Sequence, residues 1–449
     1  MHKKMQSSRR EFLRNTAGAV AAFTFVPRHV LGGQGRRAAS DKLNIACIGV
    51  GGRGGASVSG CSGENIVAMC DVDGRKARDA FNSHRSAKKY VDFRKMFDDM
   101  EDKIDAVTVA TPDHTHAVAV MAAIRRGKHV YSEKPLAHSI YEVRSLMKAA
   151  REHKVVTQLG NQGHSFDTIR TFCEWIWDGA IGKVSEVHGA CGSDYSRISQ
   201  LSKRDEKHDV PSELDWDLWL GPAKERPYNP MYLPGSWRGW MPFGCGVIGD
   251  WVCHVVDPVF WALDLGAPVS VKATAKGYDP KEHSDTFPHG TKVEYGFPAK
   301  GDRGPVKLFW YDGSEKIPRP DDLEAGRDVP RTGAIVIGNK GNVMYGSHGA
   351  GGCRIFPEEK MRAYKQPPKT LPRIGSQHHK DWLDAIKNNG KAGSNFNYGG
   401  PLTEIAHLGI IATRLLGQKL MWDGPNMRFT NSDQANQLIN PPRRKGWDL

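Results

Sequence analysis

Residues 49–54 read Gly-Val-Gly-Gly-Arg-Gly, directly after the apolar run 43–48. Glycines in the spacing G-x-G-x-x-G suit a pyrophosphate: the first permits a tight turn, the second lets the backbone approach the phosphates, and the third allows a helix to pack close on the preceding strand. The phosphates then lie over a helix N-terminus, where unpaired N–H groups favour negative charge. Asp71 closes a second apolar run, 65–70, 22 residues after Gly49. A carboxylate there can accept hydrogen bonds from adenosine ribose hydroxyls and repels a 2′-phosphate, which points to NAD over NADP. Arg75, four residues on, pulls against that preference. The cofactor set read from this stretch is Gly49, Gly51, Gly52, Arg53, Gly54 and Asp71.

A phosphate loop of this kind works only at the end of a strand in a parallel sheet, so the surrounding elements must supply one. Apolar runs at 43–48, 65–70 and 104–110, a fourth within 128–135, then 155–161, alternate with helical patterns at 117–126 and 141–154. Short buried runs separated by helices read as parallel strands with crossover helices. This predicts a doubly wound α/β domain over residues 41–160. Beyond it the pattern changes. A helix over 168–182 leads to a loop region rich in Trp, Pro and Gly up to about 247, and then to β-type alternation at 270–278, 291–297, 305–313 and 333–347. Strands joined by turns predict an open, largely antiparallel sheet, so residues 161–449 are expected to form an α+β domain closing with a helix over 401–417. The fold class is α/β: a Rossmann domain followed by this second domain.

The 449-residue chain carries a formal charge of +13. Residues 1–37 hold eight Lys or Arg against the single acid Glu11, so seven of those charges lie there and six in the rest, without basic runs. That distribution gives nucleic-acid binding no support. The one long apolar run, 17–26, is about half of what a membrane-spanning helix needs. It follows Ser8-Arg9-Arg10-Glu11-Phe12-Leu13, an order that resembles a twin-arginine export signal and predicts delivery of folded protein to the periplasm, with residues 1–40 as signal and linker. Eight cysteines show no C-x-x-C pair, and their disulfide state is left open. No metal site is expected, because His254, Asp257 and His164 form no compact ligand motif.

Three further stretches carry chemistry: Thr111-Pro112-Asp113-His114-Thr115-His116, Glu133-Lys134-Pro135, and Gly249-Asp250 to Asp257. The first two follow predicted strands and so fall at the carboxyl edge of the first sheet, where α/β folds bind ligands. With the glycine loop, they resemble the glucose-fructose oxidoreductase, inositol dehydrogenase and MocA family over residues 43–420. The resemblance implies that Lys134 binds the reacting hydroxyl and helps move its proton; its ammonium can stabilise the alkoxide from which hydride leaves. It implies that Asp250 and His254, spaced i, i+4 on one helix face, line the substrate site as proton acceptor and hydroxyl ligand. An imidazole with an unperturbed pKa of about 6.5 suits that task. Thr111, Pro112 and His116, with Asp113 where the family often has Asn, match the loop under the nicotinamide and its ribose. Glu133, Lys134 and Gln162 join the cofactor set. His164 is assigned to the substrate, where the family often carries an arginine-containing segment. Trp237, Arg238 and Trp240 could stack on and bind a sugar ring, or pack a core. The family's open sheet commonly pairs subunits, which implies a homo-oligomer.

The function expected is an NAD-dependent oxidoreductase moving hydride between a secondary hydroxyl of a sugar, glycoside or polyol and tightly bound NAD. The alternatives are an NAD-using glycoside hydrolase acting by transient oxidation and elimination, and a sugar-binding protein without activity.

Overall fold

A computed structural model describes residues 41–449; the export signal expected in residues 1–40 lies outside them. Asn44–Leu449 forms one structural unit built on two sheets. The first contains β1 (Asn44–Ile48), β2 (Asn65–Cys70), β3 (Lys88–Tyr90), β4 (Ala106–Val109), β5 (His129–Ser132) and β6 (Thr157–Leu159), all parallel, in the order β3-β2-β1-β4-β5-β6. The chain winds outwards on both sides of β1, so a crevice opens at the carboxyl ends of β1 and β4. β1 and β4 are buried along nearly their whole length, which explains why they read as unbroken apolar runs. Edge strand β3, Lys-Lys-Tyr, carries no such pattern, and the sequence gives it no element.

The crossover helices are α1 (Arg53–Gly60), α2 (Gly74–Ser83), α3 (Phe93–Met100), α4 (Asp113–Arg125) and α5 (Ile140–Glu152). Local chemistry sets several starts. Asp73 caps α2 by accepting from the Arg75 N–H at 3.1 Å, and Ser139 caps α5 by accepting from the Glu142 N–H at 3.3 Å. α4 begins at Asp113, four residues before the expected start, so Asp113 to His116 form its first turn rather than a loop. Pro112 supplies the fixed φ that launches the helix and Asp113 places an acid at its positive end.

The second sheet runs β13-β12-β11-β7-β10-β9-β8-β14-β15. Its strands are β7 (Val184–Cys191), β8 (Ser270–Ala275), β9 (Gly290–Phe297), β10 (Val306–Gly313), β11 (Thr332–Gly338), β12 (Asn342–Gly346), β13 (Arg354–Phe356), β14 (Leu420–Asp423) and β15 (Arg428–Phe429). Every pairing is antiparallel except β10 with β7. One face, through Val187, Leu308, Trp310, Ala334 and Val336, joins the main core; the other carries His188, Phe309, Ile335 and Ile337 and is partly covered by Ile317 and Leu323.

α6 (Asp167–Trp177), α7 (Gly246–Val255) and α8 (Phe396–Arg414) complete the frame. α8 packs on both α5 and α7 and joins the two halves. It starts five residues before the expected boundary, with Pro401 inside it. Gly399-Gly400-Pro401 reads as a stop in sequence, yet a Cβ at Gly399 would lie 2.8 Å from the Leu159 side chain, and one at Gly400 would lie 2.8 Å from Met147 Cγ. The glycines are there because the helix presses onto β6 and α5. Among the described residues, no helix is long and apolar enough to cross a membrane. All eight cysteines fall within the described residues and are unpaired, seven of them buried.

Candidate active site

The glycine loop turns at the end of β1. Gly49 has φ +74°, and a Cβ there would lie 2.7 Å from the Ala110 carbonyl, so only glycine fits between β1 and β4. Asp71 holds this loop from the end of β2: Oδ2 accepts from Val50 N–H at 2.9 Å and Gly51 N–H at 3.2 Å, and Oδ1 accepts from Asp73 N–H at 3.0 Å. Burial raises the Asp71 pKa, and these three N–H groups oppose the rise. The guanidinium of Arg75 is committed to Asp73, with Nε at 2.8 Å and Nη2 at 2.6 Å, so it is not held ready for a 2′-phosphate. The cleft continues past Gly51, Gly52, Arg53, Thr111, Pro112, Asp113, Thr115, His116, Glu133 and Lys134 to Trp237 and Arg238. A glycine cradle, a ribose-side carboxylate with acceptor capacity to spare and a run of open cleft to Lys134 fit an extended dinucleotide.

Arg53 ties the loop to the next strand end. Its Nε donates to Glu133 Oε1 at 2.8 Å and its Nη2 to Gln162 Oε1 at 3.1 Å. Gln162 thus touches the cofactor loop through Arg53, while Glu133 Oε2 is buried without a protein partner. His116 joins the other two motifs: its Nδ1 faces the Pro135 carbonyl and its Nε2 the Thr111 carbonyl, each at 2.8 Å.

Lys134 Nζ forms an ion pair with Asp250 Oδ1 and donates to the Asp250 carbonyl at 3.2 Å. Asp250, on α7, collects further partners: Tyr195 Oη donates to Oδ2 at 2.7 Å and Arg238 Nε lies 3.5 Å from Oδ1. Burial alone would raise the Asp250 pKa, but Lys134 and Arg238 outweigh it and hold the carboxyl well below its usual range. Asp250 is therefore held as an anion by the two cations beside it.

His254, one turn further along α7, is only 4% exposed. Its ring lies 4.1 Å from that of His348, centroid to centroid, and 5.8 Å from that of Trp251. Among the described residues, Nδ1 has no hydrogen-bond partner and is sealed from solvent. Burial, with Lys134 and His348 adding to it, lowers its pKa well below 6.5 instead of leaving it near neutrality, so the imidazole is neutral at pH 7. Asp113 is 4% exposed and accepts from the Cys245 N–H at 3.0 Å. Burial pushes its pKa up to about 6 against the pull of Arg238.

His164 is brought elsewhere. Its Nδ1 lies 3.0 Å from Asp257 Oδ1 and its ring stacks on Trp261 at 4.6 Å, while Asp257 also takes Tyr398 Oη and Asn161 Nδ2. The cavity it lines is separate from the one containing Lys134. A buried carboxylate needs partners, and His164 is one of them. The tryptophans divide as well. Trp237 lines the cleft with the Arg238 guanidinium 4.3 Å from its ring centre, whereas Trp240 is fully buried in an aromatic cluster with Tyr232 and Phe243. Tyr195 and His348 escaped the sequence reading because each reaches the site from a loop of the second domain with no motif around it.

Fold and cleft define a two-domain, dinucleotide-binding oxidoreductase framework. Residues 43–161 match the sequence profile of an oxidoreductase family with an NAD-binding Rossmann fold, and residues 177–302 and 334–449 match the C-terminal alpha/beta domain of the same family. The chain belongs to the Gfo/Idh/MocA oxidoreductase family. It is 27% identical over 166 residues to levoglucosan dehydrogenase of Pseudarthrobacter phenanthrenivorans, covering 37% of this chain and 34% of that protein. It is 33% identical over 121 residues to inositol 2-dehydrogenase of Rubrobacter xylanophilus, covering 26% and 34%. The chain thus spans about a third of the length of these curated relatives. An inositol dehydrogenase homologue of Azotobacter vinelandii, solved with NADH and myo-inositol, superposes with a TM-score of 0.56 at 16% identity, covering 85% of this chain and 98% of that one. That likeness is one of fold.

Proposed function

We propose that this protein is an NAD-dependent oxidoreductase that moves hydride between a secondary hydroxyl of a sugar, glycoside or polyol and tightly held NAD. The observation that carries the reading is the Lys134–Asp250 pair at the end of the cleft that begins at the glycine loop. NAD, when bound, supplies the hydride acceptor. Asp250 holds the Lys134 ammonium in place, and the ammonium donates to the substrate oxygen and stabilises negative charge on it. His254, held neutral by burial, takes the hydroxyl proton. Trp237 forms a side of the cleft against which a ring substrate packs, and Arg238 beside it donates hydrogen bonds to the substrate's oxygens.

The Arg9-Arg10 pair and the apolar run 17–26 support export to the periplasm after folding. Firm retention of NAD suits that destination, where free cofactor is scarce. The second face of the β7–β10–β11 sheet, with Phe309, His188 and Ile337 half-buried, supports pairing of subunits there.

The test is single-turnover reduction of bound NAD, followed by absorbance on adding polyols, free sugars and glycosides. Lys134→Ala and His254→Ala should each keep bound nucleotide and lose about 10²–10⁴-fold in rate. Wild-type rates in both variants would refute the roles given to them. Release of aglycone without accumulation of reduced cofactor would point instead to hydrolysis by transient oxidation.

A further inference from the structure

The part of the cleft most distant in sequence from the glycine loop is made by Trp447. Trp447 is only 7% exposed, although it belongs to neither a helix nor a strand. Its side chain lines the same cleft as Asp71, Val91 and Phe93. The indole is fixed on several sides. The Phe93 ring lies 6.2 Å away, the Arg94 guanidinium 4.5 Å and the Arg444 guanidinium 5.9 Å from the ring centre. Arg444 anchors the segment to the second domain, with Nε donating to the Gly221 carbonyl at 2.9 Å and Nη2 to the Asp217 carbonyl at 2.8 Å. Arg443 Nε donates to Glu142 Oε1 at 3.1 Å.

Sheet order says which end of the cleft this is. Val91 and Phe93 follow β3, outside β2, whereas Lys134 follows β5, on the other side of β1 and β4. Asp71, at the end of β2, marks the adenosine ribose. Trp447 therefore stands at the adenosine end, away from the reacting carbon.

We propose that residues 443–447 form a strap across the adenosine end of the cleft, with Trp447 as the aromatic wall against the adenine, and that this strap sets how fast NAD leaves. The proposal rests on the NAD reading of the cleft. Every base has a π-face, so an aromatic wall holds adenine without reading its edges. An indole already held by two guanidinium groups loses little freedom when the base arrives, so most of the contact appears as retention.

The experiment loads the full chain with a fluorescent 1,N6-etheno analogue of NAD and follows its release into excess NAD. Trp447→Ala should speed release on the order of 10- to 100-fold, the range of alanine substitutions at base-stacking aromatics. Trp447→Phe should restore most of the retention, and Arg444→Ala, which keeps the indole but removes the anchor of the strap and one of the two guanidinium groups beside the ring, should change release in the same direction. Affinity for ADP-ribose should fall in parallel, and affinity for nicotinamide mononucleotide should not. Release within twofold of wild type in both Trp447→Ala and Arg444→Ala would overturn the strap, as would equal losses for ADP-ribose and nicotinamide mononucleotide. Asp71→Ala, measured alongside, separates the two ideas. If it weakens binding while the strap variants do not, the strap fails and the NAD reading stands. If wild type takes up no nucleotide, both fall.

Discussion

Replacing Asp113 by asparagine should stabilise the protein progressively as pH rises through 6. The carboxyl is buried at the first turn of α4, and its pKa of about 6 stands above the ordinary 3.8. Between those values the folded protein keeps a proton that the unfolded chain has released. Protonation therefore favours the folded state at low pH, and that contribution is lost as pH rises through about 6. A difference of about two pH units at 1.36 kcal/mol each amounts to something on the order of 3 kcal/mol. Asparagine keeps a carbonyl oxygen for the Cys245 N–H, so the variant removes the buried charge and leaves the hydrogen bond. Asp312, also buried with a pKa of about 6, is present in both proteins and cancels in the comparison. At about 2.1 cal/mol/K of unfolding entropy per residue, the variant should gain roughly 3–4 °C in Tm relative to wild type between pH 4 and pH 7.5. Thermal melts of both proteins across that range are the assay. Parallel curves, with a constant offset at every pH, would show that Asp113 does not titrate in this window.

Three other substitutions address the remaining parts of the site and its delivery. Asp71→Ala removes the acceptor for two loop N–H groups and for the ribose, so NAD affinity should drop about 10- to 100-fold while NADP loses less; a titration showing an unchanged ratio would remove Asp71 from the site. Tyr195→Phe deletes one donor to Asp250 and should lower the single-turnover rate about tenfold with bound NAD intact, whereas loss of nucleotide in step with rate would mean a merely structural role. Arg9→Lys combined with Arg10→Lys should leave folded protein in the cytoplasm, a result read by fractionation and contradicted by undiminished delivery to the periplasm.

The parallel sheet was legible because its central strands are buried on both faces, so each is a continuous apolar run ending at the residues that do chemistry. The glycine loop, Asp71 and the one-turn spacing of Asp250 and His254 are likewise local patterns. What sequence could not carry is which distant group meets which. His164 finds Asp257 across 93 positions, Lys134 finds Asp250 across 116 and Tyr195 finds Asp250 across 55. The direction of the Asp250 and His254 pKa shifts follows from those meetings and from burial, so the charge state of each group is set by the fold and not by its local pattern. Two helices start ahead of their apolar patterns: α4 at Asp113, where Pro112 and the acid launch a turn with no apolar face of its own, and α8 at Phe396, where contact with β6 and α5 carries the helix through Gly-Gly-Pro.

Trp447 also sets a timetable. The glycine loop leaves the ribosome with its first strand, but the cleft it opens into lacks one wall until residue 447 has been made, 393 positions after Gly54. At about 5–20 residues per second of synthesis, that interval is roughly 20–80 s. Until then the groove beside Val91 and Phe93 lacks the indole that lines it in the complete structure. On the strap proposal, firm retention of the dinucleotide waits for residue 447, long after the glycine loop has been made.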